Sequence, residues 1–331
     1  MKFLKKMMQV GLAVFCFALL ATSTVFADDT DSEGWQFVQE NGRTYYKKGE
    51  LKETYWRVID GKYYYFDSLS GEMVVGWQYI PAPHKGVTIG SSLRQDVAFR
   101  PDWFYFGQDG VLQEFVGKQV LEAKTATNTN KHHGEQYDSP AEKRVYYFED
   151  QRSYHTLKTG WVYDEGHWYY LLKDGGFDAR IDSLTVGELV RGWTNDNSTW
   201  YYLDPETGIM QTGWKQLGNK WYYLRSSGAM TTGWYQEGST WYYLDAENGD
   251  MKTDWQYLGN KWYYLRSSGA MATGWVKDGS TWYYLNASNG DMKTGWFQVN
   301  GKWYYAYSSG ALAVNTTVEG YSVNYNGEWV Q

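Results

Sequence analysis

Paired tryptophans at fixed spacing are the residues of this chain best placed to do chemistry. Gly-Trp recurs at Trp193, Trp214, Trp234, Trp275 and Trp296, with Asp-Trp at Trp255, in steps of 21, 20, 21, 20 and 21 residues. Seven residues after each comes a second Trp that opens a Trp-Tyr-Tyr run: Trp200, Trp221, Trp241, Trp262, Trp282 and Trp303. A box of ring faces attracts a quaternary ammonium, which has no N–H to donate and depends on cation–π and apolar contact. The same faces stack on sugars, and the same rings can fill a core. Residue type alone leaves these three uses open.

Other chemistry is thinly supplied. All five histidines precede the regular repeats: His84, His132, His133, His155 and His167. His132-His133 followed by Glu135 and Asp138 invites a metal reading. The spacing matches no helical His-x3-His pattern, and Lys124 to Pro140 reads as a polar loop of solvated side chains. His155 and His167 fall at turn positions and read as structural. No metal site is expected. Paired glycosidase carboxylates need a cleft and fixed separation, whereas Asp204, Asp245, Glu247, Asp250 and Asp291 sit in turns, where such residues bond their own backbone. No Gly-x-Ser-x-Gly, His-Glu-x-x-His or phosphate-cradling Gly loop is present. The chain reads as non-enzymatic and without a cofactor.

The elements that must position the tryptophans follow from the turns between them. Gly218-Asn219, Gly238-Ser239, Gly259-Asn260, Gly279-Ser280 and Asn300-Gly301 are two-residue hairpin signals, Gly-first suiting type II′ and Asn-Gly suiting type I′. A Gly218-Asn219 loop pairs Leu217 with Lys220, Gln216 with Trp221 and Trp214 with Tyr223. Because side chains alternate along a strand, Trp214, Gln216, Trp221 and Tyr223 share one face, with Lys215, Leu217, Tyr222 and Leu224 on the other. One hairpin is marginal in water, so its aromatic face must meet a neighbour. The 41-residue repeat is almost literal: Gly218-Asn-Lys-Trp-Tyr-Tyr-Leu-Arg-Ser-Ser-Gly-Ala-Met returns from Gly259. A period this short marks a stacked-repeat protein. The expected fold is all-β, a solenoid of hairpin repeats.

The units Gly-Trp-x6-Trp-Tyr-Tyr-Leu, closing on Gly-x-Met-x-Thr-Gly-Trp, resemble the choline-binding repeats of pneumococcal surface proteins and their phage relatives. The match is close over 192–312 and survives in degraded form back to about residue 34. The resemblance implies a left-handed β-solenoid with choline at hairpin junctions, held by two Trp of one hairpin, a Tyr of the next, and a Met or Leu beneath. Carried over by position, the first site would use Trp193, Trp200 and Tyr223 with Met210. The next would use Trp214, Trp221 and Tyr243 with Met230. Then follow Trp234, Trp241 and Tyr264 with Met251, and Trp255, Trp262 and Tyr284 with Met271. The last would use Trp275, Trp282 and Tyr305 with Met292. Strand register decides which Tyr of each pair points in. Asp254 replaces the Gly before Trp255, bringing backbone strain and a carboxylate near the cation. Trp161, Trp168 and Tyr202 would form a sixth site if the insert at 174–191 loops out.

The rest of the chain frames this region. Residues 1–27 read as a secretory signal, with Lys2, Lys5 and Lys6, an apolar Val10 to Leu20, and Val25-Phe26-Ala27 before Asp28. The apolar run is too short for a membrane anchor. Cys16, the only cysteine, lies inside it, so no disulfide or thiol nucleophile is expected after removal. Losing those three lysines from 31 basic residues leaves 28 against 38 acidic ones, a net charge of −10. That balance argues against nucleic acid, which needs a basic footprint. Residues 28–190 read as a second module of irregular repeats. Its hairpins at Trp35, Trp56, Trp77 and Trp103 are broken by inserts near 80–102, 116–144 and 174–191, and inserts in repeat proteins usually carry function. Residues 191–312 are the regular repeats. Residues 313–331 are a capping tail with a hairpin about Asn326-Gly327, which would cover open strand edges.

The resemblance implies a secreted surface protein held non-covalently on the choline of teichoic and lipoteichoic acids. It implies no catalytic domain, because repeat signatures run from Trp35 onward. The leading expectation beyond anchoring is modulation of choline-dependent wall hydrolases, by competition or direct binding. The alternatives are an adhesin presenting 28–190 to host molecules and, less well matched, a glucan-binding repeat protein. Choline bridging of solenoid ends into dimers is a further option.

Overall fold

The computed structural model describes residues 24–25, 34–81, 101–124, 143–151, 154–173 and 185–331. Residues 1–23 and 26–33, 82–100, 125–142, 152–153 and 174–184 lie outside the described residues, and with them His84, His132, His133, Glu135 and Asp138. Every regular element described is a β-strand. Among the described residues no helix is long and apolar enough to cross a membrane, and no group of three or more His, Cys, Asp or Glu could hold a metal.

Backbone contacts divide the chain into two units. The first comprises 1–160 and 171–189, the second 161–170 and 190–331. The Trp161–Trp168 segment therefore groups with the regular repeats, not with the irregular ones that precede it in sequence.

The second unit is a stack of two-stranded antiparallel hairpins. One of them pairs Gly213–Leu217 with Lys220–Leu224. Its register opposes Trp214 to Tyr223, Gln216 to Trp221 and Leu217 to Lys220, as the turn dictates. The hairpins at 192–203, 233–244, 254–265, 274–285 and 295–306 repeat that register. Gly218 and Gly238 open their turns at φ +63° and +59°. Gly259-Asn260 has both residues positive, at +55° and +64°, so this Gly-first loop takes the type I′ pattern instead of II′.

Each hairpin hands over to the next through a short link that returns to the hairpin before it. In the link after 203, Leu203 bridges to Met210, and the Met210 amide donates to the Trp168 carbonyl at 2.8 Å. Successive hairpins do not merge into one sheet, so side-chain packing carries the stack together with these link-to-hairpin backbone bonds. Leu203, Leu224, Leu244, Leu265 and Leu285 are fully buried and form its aliphatic column. Burying such a side chain contributes roughly 1.5–3 kcal/mol. The tail closes the stack with a three-stranded sheet of Thr316–Val318, Tyr321–Val323 and Trp329–Val330. It contains two hairpins, one turning at Glu319-Gly320, φ +53° and +87°, and one about Asn326-Gly327, as expected.

The first unit keeps the hairpin theme with larger sheets. Gln36–Glu40 and Arg43–Lys48 lie in a four-stranded sheet. Tyr55–Ile59 pairs with Lys62–Phe66, and Gly76–Pro81 with Pro101–Phe106. Gly117–Glu122, Lys143–Gln151 and Tyr154–Leu157 form a three-stranded sheet with the middle segment central. Aromatic burial is much deeper here: Trp77, Trp103, Tyr146, Phe104 and Phe106 are each 0–1 % exposed.

Candidate functional site

Alternation along the strands gives every hairpin of the second unit one face with two Trp. In the 192–203 hairpin, Trp193 and Trp200 meet edge to face, with ring centroids 6.5 Å apart at 86°. Tyr202, opposite Trp193 across the ladder, packs at 5.1 Å. The next hairpin closes the third wall with Tyr222, whose ring lies 5.0 Å from Trp193 at 66°. Three near-perpendicular ring faces thus bound one space.

The arrangement recurs along this unit, with one variation at the Trp214 junction, where Tyr235 stacks on Tyr223 at 3.9 Å and meets Trp214 at 6.0 Å. Trp pairs 234–241, 255–262 and 275–282 stand 6.3–6.4 Å apart at 81–87°. The first Trp of each hairpin meets a Tyr of the next at 4.7–4.9 Å, in the pairs Trp161–Tyr201, Trp214–Tyr242, Trp234–Tyr263, Trp255–Tyr283 and Trp275–Tyr304. The second Trp of every box remains 38–45 % exposed, from Trp168 to Trp303. Exposure so constant in a ring this apolar shows that the stack never closes over it. At Asp254 the left-handed backbone is retained, φ +62°, and the Trp255 box assembles with the same geometry as the others.

Two placements correct the positional carry-over. Tyr222, Tyr242, Tyr263, Tyr283 and Tyr304 close the boxes, where Tyr223, Tyr243, Tyr264, Tyr284 and Tyr305 were expected, and Tyr201 stands in place of Tyr202. The reason is geometric. A stacked hairpin turns its Trp face toward the following unit, so it must offer its opposite face to the preceding one, and adjacent residues point to opposite faces. The expected Tyr instead pack beside the first Trp of their own hairpins, as Tyr223 does against Trp214 at 5.2 Å. The methionine links start one unit earlier than expected. The amides of Met210, Met230, Met251, Met271 and Met292 bond the carbonyls of Trp168, Trp200, Trp221, Trp241 and Trp262, and the Met292 side chain packs in the cluster of Trp255 and Tyr283, one unit before the Trp275 box. The thioether of Met210 then reaches forward to lie against Gly228 in the following link.

Two features escaped the sequence reading. One is a seventh box: Trp296, Trp303, Tyr321 and Trp329 line a cavity of about 320 Å³. The other is a carboxylate on alternate boxes. The indole N–H of Trp161, Trp214, Trp255 and Trp296 donates to Asp196, Glu237, Asp278 and Glu319 at 3.0–3.1 Å. These acids stand 41 residues apart at hairpin tips, and the intervening tips carry Leu217, Leu258 and Val299. The 23-residue step from Trp214, Trp255 and Trp296 to the acid is a signal that would have found both.

A choline-binding repeat model matches residues 211–254 and 252–297, and a cell wall binding repeat model matches 159–177, 192–210 and 294–312. The structure of CbpJ from Streptococcus pneumoniae is 70% identical, covering 90% of this chain and 100% of that one, with a TM-score of 0.77. This chain belongs to the choline-binding repeat family. Choline binding and non-covalent attachment to the cell wall come with that membership. Choline-binding protein F of the same species, solved with a peptidoglycan analogue, is 60% identical over 90% of this chain and 99% of its own, TM-score 0.76. Its complex with ipratropium is 58% identical over the same shares, TM-score 0.71. Among curated proteins none matches the chain.

The choline-binding plan is altered in the first unit. The Arg57 guanidinium covers Trp35 and Tyr46 at 5.6 and 6.0 Å while paired with Glu53 at 3.0 Å. Trp56 keeps a perpendicular partner in Phe104, 5.3 Å away at 80°, but Ile80 and Leu112 pack into the same cluster. Tyr63 stands where the regular hairpins have their second Trp and Phe104 where they have the box-closing Tyr, and with Ile80 and Leu112 they make this junction core.

Proposed function

We propose that the seven aromatic boxes of the second unit hold choline head groups of phosphocholine-decorated teichoic and lipoteichoic acids. On this reading the protein sits on the wall and competes there with choline-dependent wall hydrolases. The observation that carries it is the three-walled box with an accessible second Trp. A trimethylammonium group needs ring faces on several sides and an open mouth, because the rest of the polymer stays outside. Flat stacking platforms, which suit sugars, call for parallel exposed rings, and the Trp pairs here are perpendicular. The carboxylates behind Trp161, Trp214, Trp255 and Trp296 add a favourable field for a cation.

Competition follows from valency. Single boxes are weak, but several on one rod raise avidity by roughly 10²–10⁴ when their spacing fits the polymer. An occupied polymer then offers fewer head groups to a hydrolase that needs them. Adding the purified protein to a choline-dependent hydrolase digest of walls tests this. Slower lysis that free choline abolishes supports the reading; unchanged lysis at saturating protein removes the competitive role. Retention on a tertiary-amine resin with elution by choline tests the anchoring alone.

A further inference from the structure

One box in the first unit has the full ring plan and is already occupied. Its register opposes Trp77 to Tyr105 and Tyr79 to Trp103, the same order as Trp214 to Tyr223 and Gln216 to Trp221. Trp77 and Trp103 stand 6.2 Å apart at 84°, against 6.5 Å and 86° for Trp193 and Trp200. Tyr146 closes the third wall 4.7 Å from Trp77 at 57°, as Tyr222 does 5.0 Å from Trp193 at 66°. The difference lies in what fills the space. The Lys124 ammonium sits 4.7, 5.0 and 4.4 Å from the centroids of Trp77, Trp103 and Tyr146, and donates to the Val186 carbonyl. Trp103 is 1 % exposed where its counterpart Trp200 is 44 % exposed.

We propose that Trp77, Trp103 and Tyr146 form a cation cage whose ligand is the Lys124 ammonium of the same chain, and that this cage takes a primary alkylammonium ion when that side chain is shortened. A buried lysine needs a reason to be there, since removing an ammonium from water costs several kcal/mol unless its charge and protons find partners. Here three ring faces answer the charge and the Val186 carbonyl answers an N–H. Burial draws the amine down to about 7, and the nearby Glu188 carboxylate works in the opposite direction. The carbonyl also sets specificity. A quaternary ammonium would leave Val186 unpaired in a closed space, so this cage selects ions that carry N–H, unlike the open boxes of the second unit. Trp77 is held for the purpose, its indole N–H bonded to the Glu122 carbonyl at 2.8 Å. The first unit thereby carries its ligand with it and needs no wall polymer to complete this junction.

The test uses the full chain with choline held at saturation, so that the second unit's boxes stay filled. Lys124→Ala should lower the unfolding temperature of the first unit. n-Propylammonium chloride should restore part of that loss, with no effect on the parent chain beyond that of sodium chloride. Tetramethylammonium should restore nothing. No recovery with n-propylammonium, or equal recovery with tetramethylammonium, would overturn the proposal, as would a Lys124→Met chain as stable as the parent. Should Lys124→Ala fail to fold, NMR of lysine side chains in the parent decides. One lysine with ε-protons shifted upfield by ring currents, lost in Lys124→Arg, is the expected result; lysines that all resonate alike contradict it.

Discussion

At the scale of single residues, the boxes differ more than the repeat suggests. A carboxylate behind Trp214 fixes the indole through a charge-assisted hydrogen bond and places negative charge beside the ring that a cation would face. Glu237→Gln keeps the shape and removes the charge. It should weaken choline at that box by about 3–10-fold, roughly 1 kcal/mol, while leaving the neighbouring Trp234 box unchanged; site-resolved NMR titration of the indole N–H signals checks both. Trp221→Ala should delete one site and leave the fold intact, because Trp221 is 39 % exposed. A titration that loses one equivalent of choline, with an unaltered unfolding midpoint, is the expected outcome.

At the scale of the hairpin, turn chemistry and alternation made most of the fold legible. Two-residue loops fixed the register of the regular units, and the register fixed which Trp share a face. Which Tyr closes a box was not legible from one hairpin in isolation. It depends on stacking, because a unit touches its two neighbours through opposite faces, and that is a property of the array. The tail carries one turn more than its pattern announced. The hairpin about Asn326-Gly327 is present, and Glu319-Gly320 makes a second one that brings Tyr321 onto Trp296 at 5.6 Å. Two predictions belong here. Asp254 occupies a left-handed position, φ +62°, where the neighbouring units have Gly233 and Gly274 at +74° and +73°. Asp254→Gly should therefore stabilise the second unit by about 1 kcal/mol, read from chemical denaturation. The link carboxylates give the second. The Thr207 amide holds Asp204 below the usual range, the Asn248 amide and Lys252 bring Asp245 to about 2, and Lys302 lowers Glu328. A carboxylate lowered on folding contributes stability above its unfolded value and loses it as pH falls through the folded one. The second unit should thus weaken progressively from pH 4.5 toward 2, between the ordinary Glu value and that of Asp245. Circular dichroism melts across that range would show a flat midpoint if these bonds did not matter.

At the scale of the molecule, one ring plan serves two purposes. In the second unit it is left open and repeated along a stack, the form that multivalent attachment to a polymer requires. In the first unit it is filled from within by Arg57, Ile80 and Lys124, so the same hairpins become core. The inserts that distinguish this unit could be seen in the sequence as broken spacing, and so could the loss of Trp at several junctions. The internal occupant could not, since Lys124 approaches Trp77 from 47 positions away and no local pattern announces it. The acidic balance of the whole chain suits cationic head groups and also keeps such an aromatic surface soluble.

Isothermal titration of the full chain with choline tests the central claim most directly. The account predicts saturable binding that approaches seven equivalents, from the boxes opened by Trp161, Trp193, Trp214, Trp234, Trp255, Trp275 and Trp296. It also predicts no further equivalents from the first unit. Absence of choline binding, with heat released instead on adding glucan fragments, would contradict it.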